Sequence, residues 1–179
     1  MAEAFSNKVV RAAGIVTTSS SGSIGITTTL ITGISTVGVA VSSLIDNSNF
    51  IAGTKVSSIG IGSVFADRAS TNTAAASNQS VRFLGVTTAY TSPAATKSIL
   101  IGGTFANNTS NQVSLTVEIF DQSTAVGVAI ASKIPVPAGS SFVISDTGKT
   151  LLEGSDELRI YCDTADAIDA SLSILTGVA

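Results

Sequence analysis

The stretch VSLTVEI, residues 113–119, decides the fold of this chain. Val113, Leu115, Val117 and Ile119 alternate with Ser114, Thr116 and Glu118. A repeat of two is that of a half-buried β-strand, with one face on a core and the other towards water. Upstream, SILIGGTFANNTSNQ (98–112) predicts a strand running into a turn cluster from Asn107 to Asn111. Downstream, a hairpin turn near Asp121-Gln122-Ser123 leads into Val126, Val128 and Ile130. Ile134-Pro135-Val136-Pro137-Ala138-Gly139 must be an edge or a loop, because proline cannot donate to a central ladder. Strand signals return at Phe142-Val143-Ile144, Leu151-Leu152, Leu158-Ile160-Cys162 and Leu172-Ile174. About seven strands in roughly ninety residues is the density of an antiparallel β-sandwich.

The N-terminal half reads as a second, smaller β-module. Ile24 and Ile26 alternate with Ser23 and Gly25, TTTLITGI (27–34) is rich in β-branched residues, and Val37, Val39 and Val41 alternate with Gly38 and Ala40. A turn-rich patch follows at Asp46-Asn47-Ser48-Asn49. FIAGTKVSSIGIGSVFAD (50–67) then places Val56, Ile59, Ile61 and Val64 among glycines suited to turns or bulges. Residues 66–80 carry almost no bulky apolar side chain and read as a loop or linker before a short strand, Val81-Arg82-Phe83-Leu84. Residues 1–13 show no clear period and read as an arm. The expected organisation is all-β: an arm at 1–13, an N-terminal β-module at 14–87 with its linker at 66–80, and a sandwich or jelly-roll-like domain at 88–179.

Composition narrows the function. Of 179 residues, 44% are hydrophobic, 5% aromatic and only 12% charged, and the net charge is −3. The charged share is about half the usual quarter. A surface so lightly charged suits a chain docked on copies of itself or on a partner. The nine basic residues are scattered singly. Nucleic-acid binding needs a positive patch, so no nucleic-acid partner is expected. Glu3, Lys8 and Arg11 interrupt the apolar run that a signal peptide requires, and no apolar stretch approaches the ~20 residues of a membrane helix. The chain is expected to be made in a cytoplasm, without a membrane partner.

The residues that carry chemistry are sparse. With no His and one Cys, a zinc site cannot be built. Cys162 lacks a base to activate it and reads as a small buried hydrophobe. Asp163, Asp166 and Asp169 would share one face of a helical turn, but calcium takes six to eight oxygens, and a solvated acidic loop is the expectation. Glu153, Asp156 and Glu157 read as an exposed turn. Glu118 and Asp121 make a poor glycosidase pair, since Glu118 alternates outward and Asp121 is a turn residue. Gly60-Ile61-Gly62 lacks the Lys and the helix of a phosphate loop. Tyr90 and Tyr161 are the candidate sugar platforms, and their exposure near a pocket would favour a host-surface or carbohydrate-binding adhesin. No catalytic, cofactor-binding or metal-binding residue is expected, and no enzymatic activity.

Two stretches resemble known virion proteins. GISTVGVAVSSLIDNSNFIAGTKVSSIGIGSVFAD (33–67), with its Gly53-Thr54-Lys55-Val56-Ser57-Ser58-Ile59 segment, is similar to a small β-module of tailed-phage virion proteins. Residues 97–175, with the segments PAGSS (137–141) and LLEGSDELR (151–159), look like the β-sandwich of small phage structural proteins on heads, necks and tails. The general look is that of phages of marine cyanobacteria and related hosts. Ser155 departs from the pattern, which often runs Gly-Asp directly, and lengthens that turn. The resemblance implies a virion structural protein assembled in the host cytoplasm, homo-oligomeric and bound to the major capsid protein or other virion proteins. It favours a capsid decoration or cement protein over a neck, baseplate or tail-fibre-associated one. It supplies no catalytic residues.

Overall fold

A computed structural model of the chain describes residues 3–144 and 150–178. Met1 and Ala2 of the expected arm, and Ala179 at the end of the expected sandwich, lie outside the described residues. Among the described residues there is no helix, and so none long and apolar enough to cross a membrane. The protein is all-β. In chain order the strands are β1 (Ala4–Ala13), β2 (Ile15–Ile24), β3 (Leu30–Thr32), β4 (Leu44–Asp46), β5 (Val56–Gly60), β6 (Ser63–Ala66), β7 (Ala76–Gly85), β8 (Thr87–Thr91), β9 (Lys97–Asn107), β10 (Val113–Asp121), β11 (Val126–Val136), β12 (Ser141–Ile144), β13 (Thr150–Leu152), β14 (Glu157–Cys162) and β15 (Ile168–Val178). The chain divides into two compact units, Ile15–Val86 and Met1–Gly14 with Thr87–Ala179.

The unit Ile15–Val86 is one six-stranded antiparallel sheet in the order β4-β7-β2-β3-β6-β5. Its end strands meet: Leu44 bridges to Lys55, Ile45 N–H donates to the Thr54 carbonyl, and Val56 N–H donates to the Ser43 carbonyl. The sheet therefore curls shut around Ile24, Ile31, Ile45, Val64, Val81 and Phe83. The closing bonds lie between residues 42–45 and 54–56, so they cover β4 and the start of β5. Asp46 and Arg82, directly opposite on β4 and β7, form an ion pair.

Three sequence expectations fail in this unit, the first at Ile26, which was expected to alternate with Ile24 but lies exposed in the turn after β2. Val37, Val39 and Val41 alternate as a strand would, yet residues 35–43 run through turns, with Gly38 and Ser42 at positive φ and Val37 exposed. Three valines at a spacing of two do not make a strand when Gly38 between them and Ser42 after them turn the backbone. Residues 76–80, assigned to the linker, begin β7, where Gln79 pairs with Gly22 and Ala76 with Ile24. That half of β7 is polar because it runs along the rim of the sheet, where few side chains are buried.

The second unit is an antiparallel sandwich. One sheet has the order β1-β15-β9-β12, with β13 also on β9, and the other the order β11-β10-β14-β8. The inward half of the 113–119 alternation appears as expected, with Val113, Leu115 and Val117 on β10 facing Leu100, Phe105, Leu172 and Ile174 of the opposite sheet in one buried cluster, but the other face is not open to water, since Thr116 and Glu118 are buried as well. Phe105 pairs in register with Phe142, and their ring centroids lie 6.3 Å apart. A Cβ on Gly103 would stand 2.9 Å from Leu172 Cδ2 and 3.2 Å from Phe105 Cε2, so this glycine makes room for the core.

Residues 4–13 are not an arm but an integral strand, paired with β15 from Ala4↔Thr176 to Ala13↔Ile168. The period was hidden because an edge strand covers little core, and apolar residues fall on both of its faces: Val10 inward, Phe5 and Val9 outward.

Candidate docking surface on the five-stranded sheet

The outward face of the sheet containing β1, β15 and β9 is built from positions that alternate with the core. Buried Leu172 and Ile174 turn Ser171, Ser173 and Leu175 outward, and buried Leu100 and Phe105 do the same for Ile99 and Thr104. The registers align these residues into rows. Phe5, Leu175, Ile99 and Leu151 stand side by side across β1, β15, β9 and β13. Val9, Ser171, Thr104 and Val143 form a second row, ending on β12. Asn7, Ser173 and Gly102 lie between.

No charged residue occurs in these rows. Phe5 and Val9 are each 78% exposed, and Val143 and Leu151 are also open. Small Ser171, Thr104 and Ala106 floor a shallow groove beside Val9, and Arg11 and Asp169 line it too. Strand spacing and rise make the two rows roughly 15 Å by 13 Å. The face was not foreseen from the sequence, because Phe5 and Val9 meet Leu151 and Val143 only through two intervening strands.

The candidate chemical residues serve the backbone instead. The thiol of Cys162 is wholly buried beside Leu158 and Ile160, as the alternation requires, and burial pushes it up from the ordinary cysteine value. Asp163 Oδ1 accepts from Ser114 N–H at 2.8 Å, and Asp169 Oδ1 from Ala12 N–H at 2.7 Å. That bond holds the Asp169 carboxyl below the ordinary aspartate value. Asp166 stands at positive φ and donates its N–H to the Gly14 carbonyl. The three lie on a loop and a strand, not on one face of a helical turn; Asp166 is exposed, and half-exposed Asp169 and Asp163 accept from N–H groups of β1 and β10.

Asp156 is likewise no exposed turn residue. It is 6% exposed; Oδ1 accepts from Gln122 N–H at 3.1 Å and Oδ2 from Glu153 N–H at 2.9 Å. Ser155 takes positive φ and donates its N–H to the Ser92 carbonyl, which defines the turn. Gly60-Ile61-Gly62 forms the tip of the β5–β6 hairpin, with Gly62 at positive φ and Ile61 fully exposed. Asp121 Oδ1 accepts from Ser123 Oγ and from the N–H groups of Ser123 and Thr124, which holds its carboxyl below the ordinary value.

Glu118 does alternate outward from the sandwich core, but it is only 3% exposed. It sits opposite Arg159, and Tyr161 donates its hydroxyl to Glu118 Oε1 at 3.1 Å. The Arg159 guanidinium lies 3.4 Å over the Phe120 ring and donates through Nε to Glu157 Oε2 at 2.8 Å. The ring offers its buried Nη1, which has no hydrogen-bond acceptor, an attractive face. Neither tyrosine is an exposed platform: Tyr161 is fully buried, and Tyr90 is buried with its hydroxyl 2.8 Å from Ser98 Oγ.

Burial first, and then the Glu118 carboxylate, push the Tyr161 phenol well above the ordinary 10.0. The folded state thus holds this proton more tightly than the unfolded one. The stability it carries is complete below pH ~10 and is lost as pH rises beyond it. Absorbance at 295 nm, wild type minus Tyr161→Phe, should therefore show no ionisation step until the fold is lost. A step near pH 10 with the fold intact would contradict the buried pair.

Asn107 is a structural anchor that the sequence reading passed over. Its Nδ2 donates to the carbonyls of Asn111, Val136 and Pro137, and its Oδ1 accepts from Thr109. One buried amide so ties the 108–112 turn to the proline segment.

No family model matches the chain, and no curated protein matches it. Among solved structures, the chain is similar to one of infectious bursal disease virus, Gx strain, at 14% identity and a TM-score of 0.34, over 94% of this chain and 55% of that one. A structure of the Gt strain matches at 8% identity and a TM-score of 0.31, over 95% and 55%. The chain spans about half the length of these solved chains. Likenesses this loose carry no argument about function.

Proposed function

We propose that the chain is a non-enzymatic structural protein of a virus particle and, within that class, a capsid decoration protein of a tailed phage. The observation that carries this reading is the pair of uncharged rows across the outward face of the five-stranded sheet, with Arg11 and Asp169 just beyond the Val9 row. Phe5, Val9, Val143 and Leu151 gain nothing from facing water, and a partner surface would bury them. The face covers about a quarter of the ~800 Å² that each side of a standard interface buries. One such contact is weak, and repetition over a symmetric lattice makes it hold. The motif resemblance at 33–67 and 97–175 supports the phage assignment, and the acidic side chains spent on backbone clamps support a role without catalysis.

Cryo-EM of particles carrying the chain tests the reading. Density repeating at every local symmetry axis of the head is expected. Density confined to neck or tail would replace decoration by a joint, baseplate or fibre role, and absence from the particle would end the virion reading. The substitution Phe5→Glu should weaken retention on empty heads by roughly tenfold or more, because a carboxylate buried in an apolar contact has no partner. Unchanged retention would move the docking surface elsewhere.

A further inference from the structure

We infer that residues 4–10 of β1 form a strap that opens and closes about a hinge at Arg11 and Ala12 while the sandwich stays folded. Pairing and packing part company on this strand. The ladder to β15 runs unbroken from Ala4↔Thr176 to Val10↔Ala170, yet no side chain from Ala4 to Ala12 is buried. The strands beside it differ: β15 buries Ile168, Ala170, Leu172 and Ile174, and β9 buries Leu100 and Phe105.

The inward side of β1 accounts for the difference. Ser6, Lys8 and Val10 alternate with Phe5, Asn7 and Val9, and of the inward three only Val10 packs on the core. Ser6 and Lys8 instead line an open pocket of about 470 Å³, together with Thr88 and Tyr90 of β8. β1 ends its sheet and pairs with β15 alone. Opening the strap therefore breaks one ladder and uncovers little apolar core, which is the condition for local rather than global unfolding.

The backbone marks the hinge. The register shifts between Val10 and Ala13, so Arg11 and Ala12 fall outside the ladder. Ala12 has a φ of 56°, a left-handed conformation that a residue with a Cβ avoids. Beyond the hinge the chain is fixed. Ala13 is buried, the Ala13 and Gly14 carbonyls accept from the N–H groups of Ala167 and Asp166, and a Cβ on Gly14 would meet the Thr164 carbonyl oxygen at 2.3 Å. The consequence rests on the docking reading: the strap supplies Phe5 and Val9, one end of each apolar row, so the face is complete only when the strap is shut. A partner that covers both residues binds the shut state and holds it.

Hydrogen exchange on the purified full chain tests the strap without any partner. The amides of residues 4–10 that bond to β15 should exchange roughly a hundredfold faster than those of β9 between Leu100 and Phe105. Asn7→Cys combined with Ser173→Cys, placed where Ser173 Oγ donates to Asn7 Oδ1 at 3.5 Å, should remove most of that difference when oxidised and restore it when reduced. On empty heads the same wild-type amides should slow by roughly tenfold or more. Exchange of residues 4–10 in step with β9 in the free chain would overturn the strap, whatever happens on heads. Fast exchange in the free chain that does not slow on heads would overturn its link to docking and move the docking surface elsewhere.

Discussion

Phe105→Ala should cost about 3–5 kcal/mol of stability, the largest loss expected of any single truncation in this protein. Phe105 is wholly buried near the C-terminal end of β9, with Ala170 beside it on β15 and Phe142 on β12. The core is otherwise aliphatic, so its rings are among its largest units of buried area. Gly103, pressed against both Phe105 and Leu172, shows how little slack surrounds the ring. The neighbours sit on hydrogen-bonded strands and cannot collapse into the hole, so the cavity persists and adds to the lost transfer energy. Chemical denaturation should show a lower midpoint with a nearly unchanged slope. A loss below about 1.5 kcal/mol, the size of a mild core swap, would mean that the two sheets do not close on this ring.

Gly154→Ala should destabilise by about 3 kcal/mol, at the upper end for overpacking. A Cβ at this position would stand 2.3 Å from the Ala94 carbonyl oxygen and 3.0 Å from its carbonyl carbon. Both are backbone atoms, so no side chain can swing aside. The two loops are also laced together: Ser92 N–H donates to the Asp156 carbonyl and Ser155 N–H to the Ser92 carbonyl. Moving Ala94 would break these bonds and loosen Asp156, which holds the Gln122 and Glu153 N–H groups. Thermal melting should drop by roughly 10 °C at the usual few degrees per kcal/mol. Gly139→Ala is the natural comparison: Gly139, unlike Gly154, sits at positive φ, at 63°, and nothing lies within 4 Å of its Cβ position, so the substitution carries backbone strain without a clash and should cost less. Equal losses at the two sites would show that the contact with Ala94 is not what fixes Gly154.

Much of the architecture was legible in local pattern. The alternation at 113–119, the Asp121 turn, the edge character of Ile134–Pro137 and the inward Cys162 all follow from a period of two and from what proline and aspartate do to a backbone. These are properties of a residue and its immediate neighbours, and a sheet preserves them wherever it places the strand.

Tertiary structure decided what depends on distant partners. Residues 4–13 became a strand because Ala170–Thr176, more than 150 positions later, offered an edge. Val37 to Val41 stayed a loop because no strand pairs with it. Asp156, Asp163 and Asp169 became clamps because N–H groups of Gln122, Ser114 and Ala12 came within reach. Phe5 joined Leu151 in one apolar row only when β15 and β9 lay between them. The sequence by itself determined the strand character of the sandwich and the scarcity of charge. Which outward residues line up in apolar rows was decided by sheet order and register, because hydrogen-bonded pairing between remote segments leaves no trace in a local period.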